Sequence, residues 1–148
     1  MNRPDALVLV VEDSRSMRES ICDLLRDLGF ANVHEASNGA DGLALFQCHS
    51  YDIVITDWFM PWVTGIELLA AIRSSSRRAE TPVLVLTGTV THGSLGEAIA
   101  AGATGLISKP FVAPELCKQV LGLVAAMAPS TKYEPALELL EARSSESV

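Results

Sequence analysis

Apolar residues gather in five short runs: Leu7–Val11, Asn32–Ala36, Ile53–Thr56, Val83–Leu86 and Gly105–Ile107. The first, third and fourth are nearly continuous Val, Ile and Leu, the pattern of strands covered on both faces of a parallel sheet. Between the runs the apolar spacing becomes helical. Ile21, Leu24, Leu25 and Leu28 form one stripe ending at Gly29, and Ser16-Met17-Arg18-Glu19 ahead of it reads as a capping box. Asn38 is placed to cap a second helix carrying Leu43, Leu45 and Phe46. Thr64-Gly65-Ile66-Glu67 is another capping box, followed by Leu68, Leu69 and Ile72, and Ser94-Leu95-Gly96-Glu97 is a third. Pro114 suits the start of a last helix running to about Met127, which Pro129 stops.

Five strand–helix units with short connections predict an α/β domain: a doubly wound, five-stranded parallel sheet of order 2-1-3-4-5 with helices on both faces. Right-handed crossovers leave few other topologies. A chain of 148 residues suits one domain, expected over residues 1–128. Residues 129–148 read as a C-terminal tail, with a short helix at about 135–143 and a Ser/Glu run at the end.

Composition narrows the functional classes. The net charge of -7 removes the cationic footprint that non-specific nucleic-acid binding needs. Arg73, Arg77 and Arg78 are too few and isolated to change that, and they read as a solvated loop. Cys22, Cys48 and Cys117 are scattered without C-x-x-C spacing, so they are expected to be small apolar fillers on helices rather than disulfides or zinc ligands. The first apolar run is too short for a signal peptide, and no stretch approaches the roughly 20 residues that span a bilayer. A cytoplasmic protein without membrane insertion is the expectation.

The candidate chemistry lies at strand ends. Glu12 and Asp13 follow the first strand, Asp57 closes the third, Thr87 closes the fourth and Lys109 follows the fifth. Ligands of open α/β sheets bind outside the carboxyl ends of the strands, where strand order reverses. In the expected order, that point brings Glu12, Asp13 and Asp57 together. Three such carboxylates repel unless something positive binds them, and oxygen ligands with open positions suit Mg2+. Lys109 can meet a phosphate as a point charge, Thr87 can donate a hydroxyl, and Asp57 can act as a carboxylate nucleophile. Each residue alone is weak; the five together indicate a phosphoacceptor site.

The segments VLVVEDS around Glu12 and Asp13, DIVITDWFMP with Asp57 and Pro61, the following Gly65, TPVLVLTG with Thr87 and AGATGLISKPF with Lys109 and Pro110 resemble the receiver domains of bacterial two-component response regulators. The resemblance is to the CheY-like, flavodoxin-like (βα)5 family, and it runs from about Leu7 to Met127. It implies phosphorylation of Asp57 by a sensor histidine kinase or a histidine phosphotransfer protein. It further implies Mg2+ (or Mn2+) held by Glu12, Asp13, Asp57 and the backbone carbonyl of Phe59. Thr87 and Lys109 would grip the phosphoryl group, Lys109–Pro110 would be a cis peptide, and Thr87 with the residue at position 106 would form the switch. The expected product is a stand-alone signalling regulator, monomeric or weakly dimeric, that catalyses only its own phosphorylation and dephosphorylation. Its output partner would meet the face made by the fourth helix, fifth strand and fifth helix, including Leu106, Val112, Leu116, Lys118 and Gln119.

Three departures from the family pattern matter. Leu106 stands where Tyr or Phe is usual. Phe59 and Thr89 flank the path of the attacking water, and the bulk of Phe59 implies slow self-hydrolysis. Gly93 and Gly96 weaken the fourth helix, which is expected to start near Leu95 after a mobile Thr89–Gly93 loop. Trp58 is expected to pack beside the third strand, and Trp62 is either an exposed anchor for a phosphodonor or a partly buried loop residue. Two other functions compete. A phosphate-independent binding module would be marked by loss of Asp57, Lys109 or the acidic pair, and all are present. An aspartyl-phosphate phosphohydrolase of the haloacid-dehalogenase type needs a second acid two residues after the nucleophile, where this chain has Phe59.

Overall fold

All five apolar runs form strands, and each gap between them holds a helix. The computed structural model describes residues 5–88 and 92–126, leaving out the side chains of 92–94. The elements are β1 (Leu7–Val11), α1 (Arg15–Asp27), β2 (Asn32–Ala36), α2 (Gly39–Cys48), β3 (Ile53–Asp57), α3 (Gly65–Arg73), β4 (Val83–Thr87), α4 (His92–Ala101), β5 (Gly105–Ser108) and α5 (Ala113–Ala126). The strands form one parallel sheet in the order β2-β1-β3-β4-β5. The expected tail over 129–148, the Thr89 position and the Pro129 stop lie outside the described residues.

Alternation along the strands divides the core in two. Val8, Val10, Ile53, Ile55, Leu84, Leu86 and Ile107 face α1 and α5, where Ile21, Leu25, Leu116 and Val120 meet them. Leu9, Val11, Val54, Val83 and Val85 face the other way, toward Phe46, Leu68, Leu69, Ile72 and Ala98 of α2, α3 and α4. Burial on both faces explains why β1, β3 and β4 read as unbroken apolar runs. The registers Val11↔Thr56 and Asp57↔Leu86 bring the carboxyl ends of β1, β3 and β4 side by side.

The Asn38 cap and the Thr64–Glu67 capping box form as expected. Two other boundaries differ. The cap of α1 is Ser14, whose hydroxyl accepts from Met17 N, so Ser16 lies inside the helix. The earlier start adds an Arg15–Glu19 pair one turn apart and lets Arg18 donate to the Glu12 carbonyl. Helix α4 begins at His92 rather than near Leu95, so Ser94 is not its cap. A capping preference is worth about 1 kcal/mol, and the docking of α4, which buries Ala98 completely against the α3 side, outweighs it.

The basic run is not solvated throughout. The Arg73 guanidinium donates to the carbonyls of Gly102, Ala79 and Thr81 and to Thr104 Oγ1, tying the end of α3 to the chain before β4 and to the turn before β5. Burial lowers its pKa, but a guanidinium keeps its proton. Arg78 is also partly buried, while Arg77 is exposed. Of the cysteines, Cys22 fills the core as expected, Cys117 is half-buried and Cys48 is exposed.

Glycine at 122 carries no packing duty. It lies mid-helix in α5, and nothing stands within 4 Å of where a Cβ would be. Gly122→Ala is expected to stabilise the fold by roughly 0.5–1 kcal/mol, by restricting the unfolded chain and improving helix propensity. A thermal or urea melt checks this, and an unchanged or lower midpoint would contradict it.

Candidate functional site

The site forms where β1, β3 and β4 end. The chain turns out of β1 at Glu12, whose side chain is fully buried while Asp13 beside it is exposed. Glu12 Oε2 accepts from Ser14 N at 3.0 Å, which fixes the carboxylate at the start of α1. Asp57 closes β3 and is 7% exposed, and its Oδ1 accepts from Trp58 N at 2.9 Å. One oxygen from each of Glu12, Asp13 and Asp57 falls within a mutual 4.8 Å.

Lys109 reaches into this cluster from the end of β5. Its Nζ donates to Glu12 Oε1 at 2.6 Å and lies 3.2 Å from Asp57 Oδ2. Burial works against the Lys109 ammonium, but the hydrogen bond to Glu12 and the charges of Asp57 and Glu12 outweigh it, and its pKa is raised. The firmer contact is with Glu12, the more deeply buried acid, which would be costly to leave unpaired. Asp13 has the opposite problem. A side-chain hydrogen bond with Glu12, burial and the Glu12 charge raise its pKa, against the lowering pull of a backbone hydrogen bond and of Lys109.

Backbone contacts hold the site from both sides. Lys109 N donates to the Thr87 carbonyl at 2.6 Å, and the Lys109–Pro110 bond is cis. Thr87 is fully buried at the end of β4. Gly65, the first residue of α3, donates its N–H to the Trp58 carbonyl at 2.7 Å. A Cβ on Gly65 would collide with the Asp57 carbonyl oxygen and sit 3.0 Å from Trp58 Cα. The close approach of α3 to the end of β3 therefore requires glycine.

The aromatic residues separate cleanly. Trp58 is buried beside β3, as expected. Phe59 is 63% exposed and stacks on Trp58 with ring centroids 5.7 Å apart. Trp62 is 81% exposed with φ 68°, a left-handed backbone conformation that an indole side chain rarely adopts. Leu106 is half-buried and packs against the α2–α3–α4 side of the core, paired with Val85. Of the expected output residues, Val112 is exposed, but Leu116 points into the core at 1% exposure and offers no surface.

Two features of the site were not foreseen from the sequence. The Lys109–Glu12 pair is tighter than the Lys109–Asp57 contact, because burial of Glu12 depends on the fold. The need for glycine at position 65 depends on where α3 meets β3. The glycine itself, beside a helix cap just past the strand, was the only signal available.

Acidic oxygens grouped within reach of a divalent cation, with a lysine beside them, suit an electrophilic phosphoryl group. Comparison with known proteins gives the family. A family model, the response regulator receiver domain, matches residues 8–121. The chain is 41% identical over 113 residues to chemotaxis protein CheY of Pseudomonas aeruginosa, covering 76% of this chain and 91% of that protein. It is also 41% identical over 109 residues to chemotaxis protein CheY-3 of Vibrio cholerae, covering 74% and 84%. The solved structure of CheY4 from Vibrio cholerae superposes with a TM-score of 0.75 at 37% identity, covering 80% of this chain and 98% of that one. Sheet order and relatives agree, and the chain belongs to the response regulator receiver domain family.

Proposed function

We propose that Asp57 is the phosphoacceptor of this receiver. The observation that carries the reading is Lys109 Nζ bridging Glu12 and Asp57 within a cluster of three carboxylates. An oxygen of Asp57 bonds to phosphorus while the bond from phosphorus to the donor breaks, and the donor's imidazole nitrogen leaves with that electron pair. Lys109 stays protonated and faces the negative charge spread over the phosphoryl oxygens. Thr87 supplies its hydroxyl to the same oxygens. The oxygen-only donor set of Glu12, Asp13 and Asp57 fits Mg2+ or Mn2+; these residues and the Phe59 backbone carbonyl would hold the ion, which would neutralise charge on the transferring group.

The donor is a histidine kinase or a histidine phosphotransfer protein, which places the receiver, residues 1–128, in the cytoplasm. The signal leaves by way of Thr87 and Leu106 to the α4–β5–α5 face, where Leu106 repacks in place of a swinging ring. An output protein meets that face. Intact mass after incubation with Mg2+ and acetyl phosphate tests the phosphoacceptor reading. It expects a gain of one phosphoryl group that a chelator abolishes. A folded chain that stays unmodified with both a small donor and a histidine phosphotransfer protein favours a phosphate-independent binding module.

Two predictions belong to this reading. Phe59 beside the acyl phosphate slows its hydrolysis, so the phosphorylated protein is expected to persist for minutes or longer after donor removal. A decay within seconds, followed by mass, would overturn this. Asp13 holds a raised pKa, so its charged form is disfavoured in the fold, and at neutral pH it subtracts from stability. Asp13→Asn is therefore expected to raise the melting point of the metal-free protein slightly, solvent screening keeping the effect small, while weakening Mg2+ binding. A lower melting point without metal would contradict the sign.

A further inference from the structure

We propose that the cleft between the C-terminal halves of α2 and α3, headed by Arg78, binds a small phosphate-bearing anion at the opposite end of the sheet from Asp57. The first observation is an orphan. Arg78 Nη1 is buried and has no hydrogen-bond partner, and no carboxylate among the described residues forms an ion pair with this guanidinium. Buried donors are nearly always satisfied, and one that is not calls for an explanation such as an ion.

The guanidinium is held ready. Its Cζ lies 5.1 Å from the Phe46 ring centroid, so the planar group rests on an aromatic face. Its backbone is pinned on both sides: Arg78 N donates to Ser75 Oγ at 3.3 Å, and the Arg78 carbonyl accepts from Thr81 N and Thr81 Oγ1. A stacked guanidinium keeps its in-plane donors for an oxyanion and loses little freedom on binding one.

Two clefts flank Arg78, and their linings decide between them. One, of about 420 Å3, contains Asp52 and Glu80 and disfavours an anion. The other, of about 350 Å3, has no carboxylate in its lining and adds Gln47, Ser75 and Ser76 to Arg78. Because Ser75 Oγ accepts from Arg78 N, its own proton is left to donate. The volume exceeds inorganic phosphate and admits a phosphate monoester. One effect opposes binding: the C-terminal ends of α2 and α3 each present about half a negative charge. Arg78 offsets this with one full positive charge and directed donors, to which Gln47, Ser75 and Ser76 add hydrogen bonds.

The test is a residue-resolved NMR titration of the full chain, without divalent metal, using inorganic phosphate and glycerol phosphate against sodium chloride at matched ionic strength. Saturable shifts at Gln47, Ser75, Ser76 and Arg78 are expected, with tighter binding of the monoester. Arg78→Gln is expected to weaken binding about tenfold, as loss of a charge-assisted contact, and Arg78→Lys less, since it keeps the charge without the fork. Phosphoryl uptake at Asp57 should be unchanged in both. If Arg78→Gln fails to fold, Arg78→Lys and the wild-type titration still decide. Shifts that do not saturate, that chloride reproduces, or that persist unweakened in the folded Arg78→Gln protein would overturn the proposal. Equal binding of both phosphates would support a site that reads the phosphate group alone and gains nothing from the ester.

Discussion

Asp57→Asn is expected to remove phosphoryl uptake from acetyl phosphate altogether while leaving the protein folded. A carboxamide oxygen is a poor nucleophile and carries no charge to match the metal and Lys109, so the loss in rate should exceed a thousandfold (roughly 4 kcal/mol). The structure gives a reason to expect an intact fold. An amide oxygen at position 57 can still accept from Trp58 N, the contact that Asp57 Oδ1 makes. Lys109 keeps its shorter contact, to Glu12 Oε1 at 2.6 Å, so the deeply buried acid stays paired. One negative charge also leaves a crowded acidic cluster. Mass spectrometry of both proteins, with a thermal melt as control, checks the outcome. Uptake of a phosphoryl group by the folded variant would move the phosphoacceptor to another residue.

Gly65→Ala is expected to cost roughly 2–3 kcal/mol and to depress phosphoryl uptake as well. The added methyl meets backbone, the carbonyl of Asp57 and Trp58 Cα, and neither can swing aside as a flexible side chain would. Relief requires α3 to retreat or the end of β3 to shift, and either breaks the Gly65 N to Trp58 carbonyl bond. The shift falls on the residue that carries the chemistry, so stability and uptake should fall together. Gly122→Ala is the control, since the same substitution in open space has the opposite expected sign. Denaturant melts of the pair and uptake rates measured well below the melting point separate the two effects. A Gly65→Ala protein with unchanged stability would mean that the approach of α3 to β3 is looser than the structure has it.

The sheet was legible in the sequence because burial on both faces keeps β1, β3 and β4 apolar but for the buried Thr56 and the closing Asp57 and Thr87. The placement of Glu12, Asp13, Asp57, Thr87 and Lys109 at strand ends was legible for the same reason: a polar residue closing an apolar run marks where the chain leaves the core. Helix starts were less so. Ser14 and Ser16 are equally good caps by type, and only the contacts of Arg15 and Arg18 choose between them. Arg73 and Leu116 were misread because partners far along the chain decide their burial. Arg73 finds its acceptors at Ala79, Thr81, Gly102 and Thr104, none of which the local pattern announces.

That last arrangement has a mechanical consequence. Arg73 clamps the carbonyl of Gly102, immediately beyond α4, while the other end of α4 lies toward the carboxyl end of β4, where Thr87 sits. A helix of 10 residues pivoting at this clamp is a lever about 15 Å long with its fulcrum at the guanidinium. Tilting it by about 10° carries the His92 end through roughly 2–3 Å while the fulcrum stays still. The exposed Leu95 lies nearer the His92 end than the exposed Ile99, so a partner gripping Leu95 senses a given tilt more strongly than one gripping Ile99.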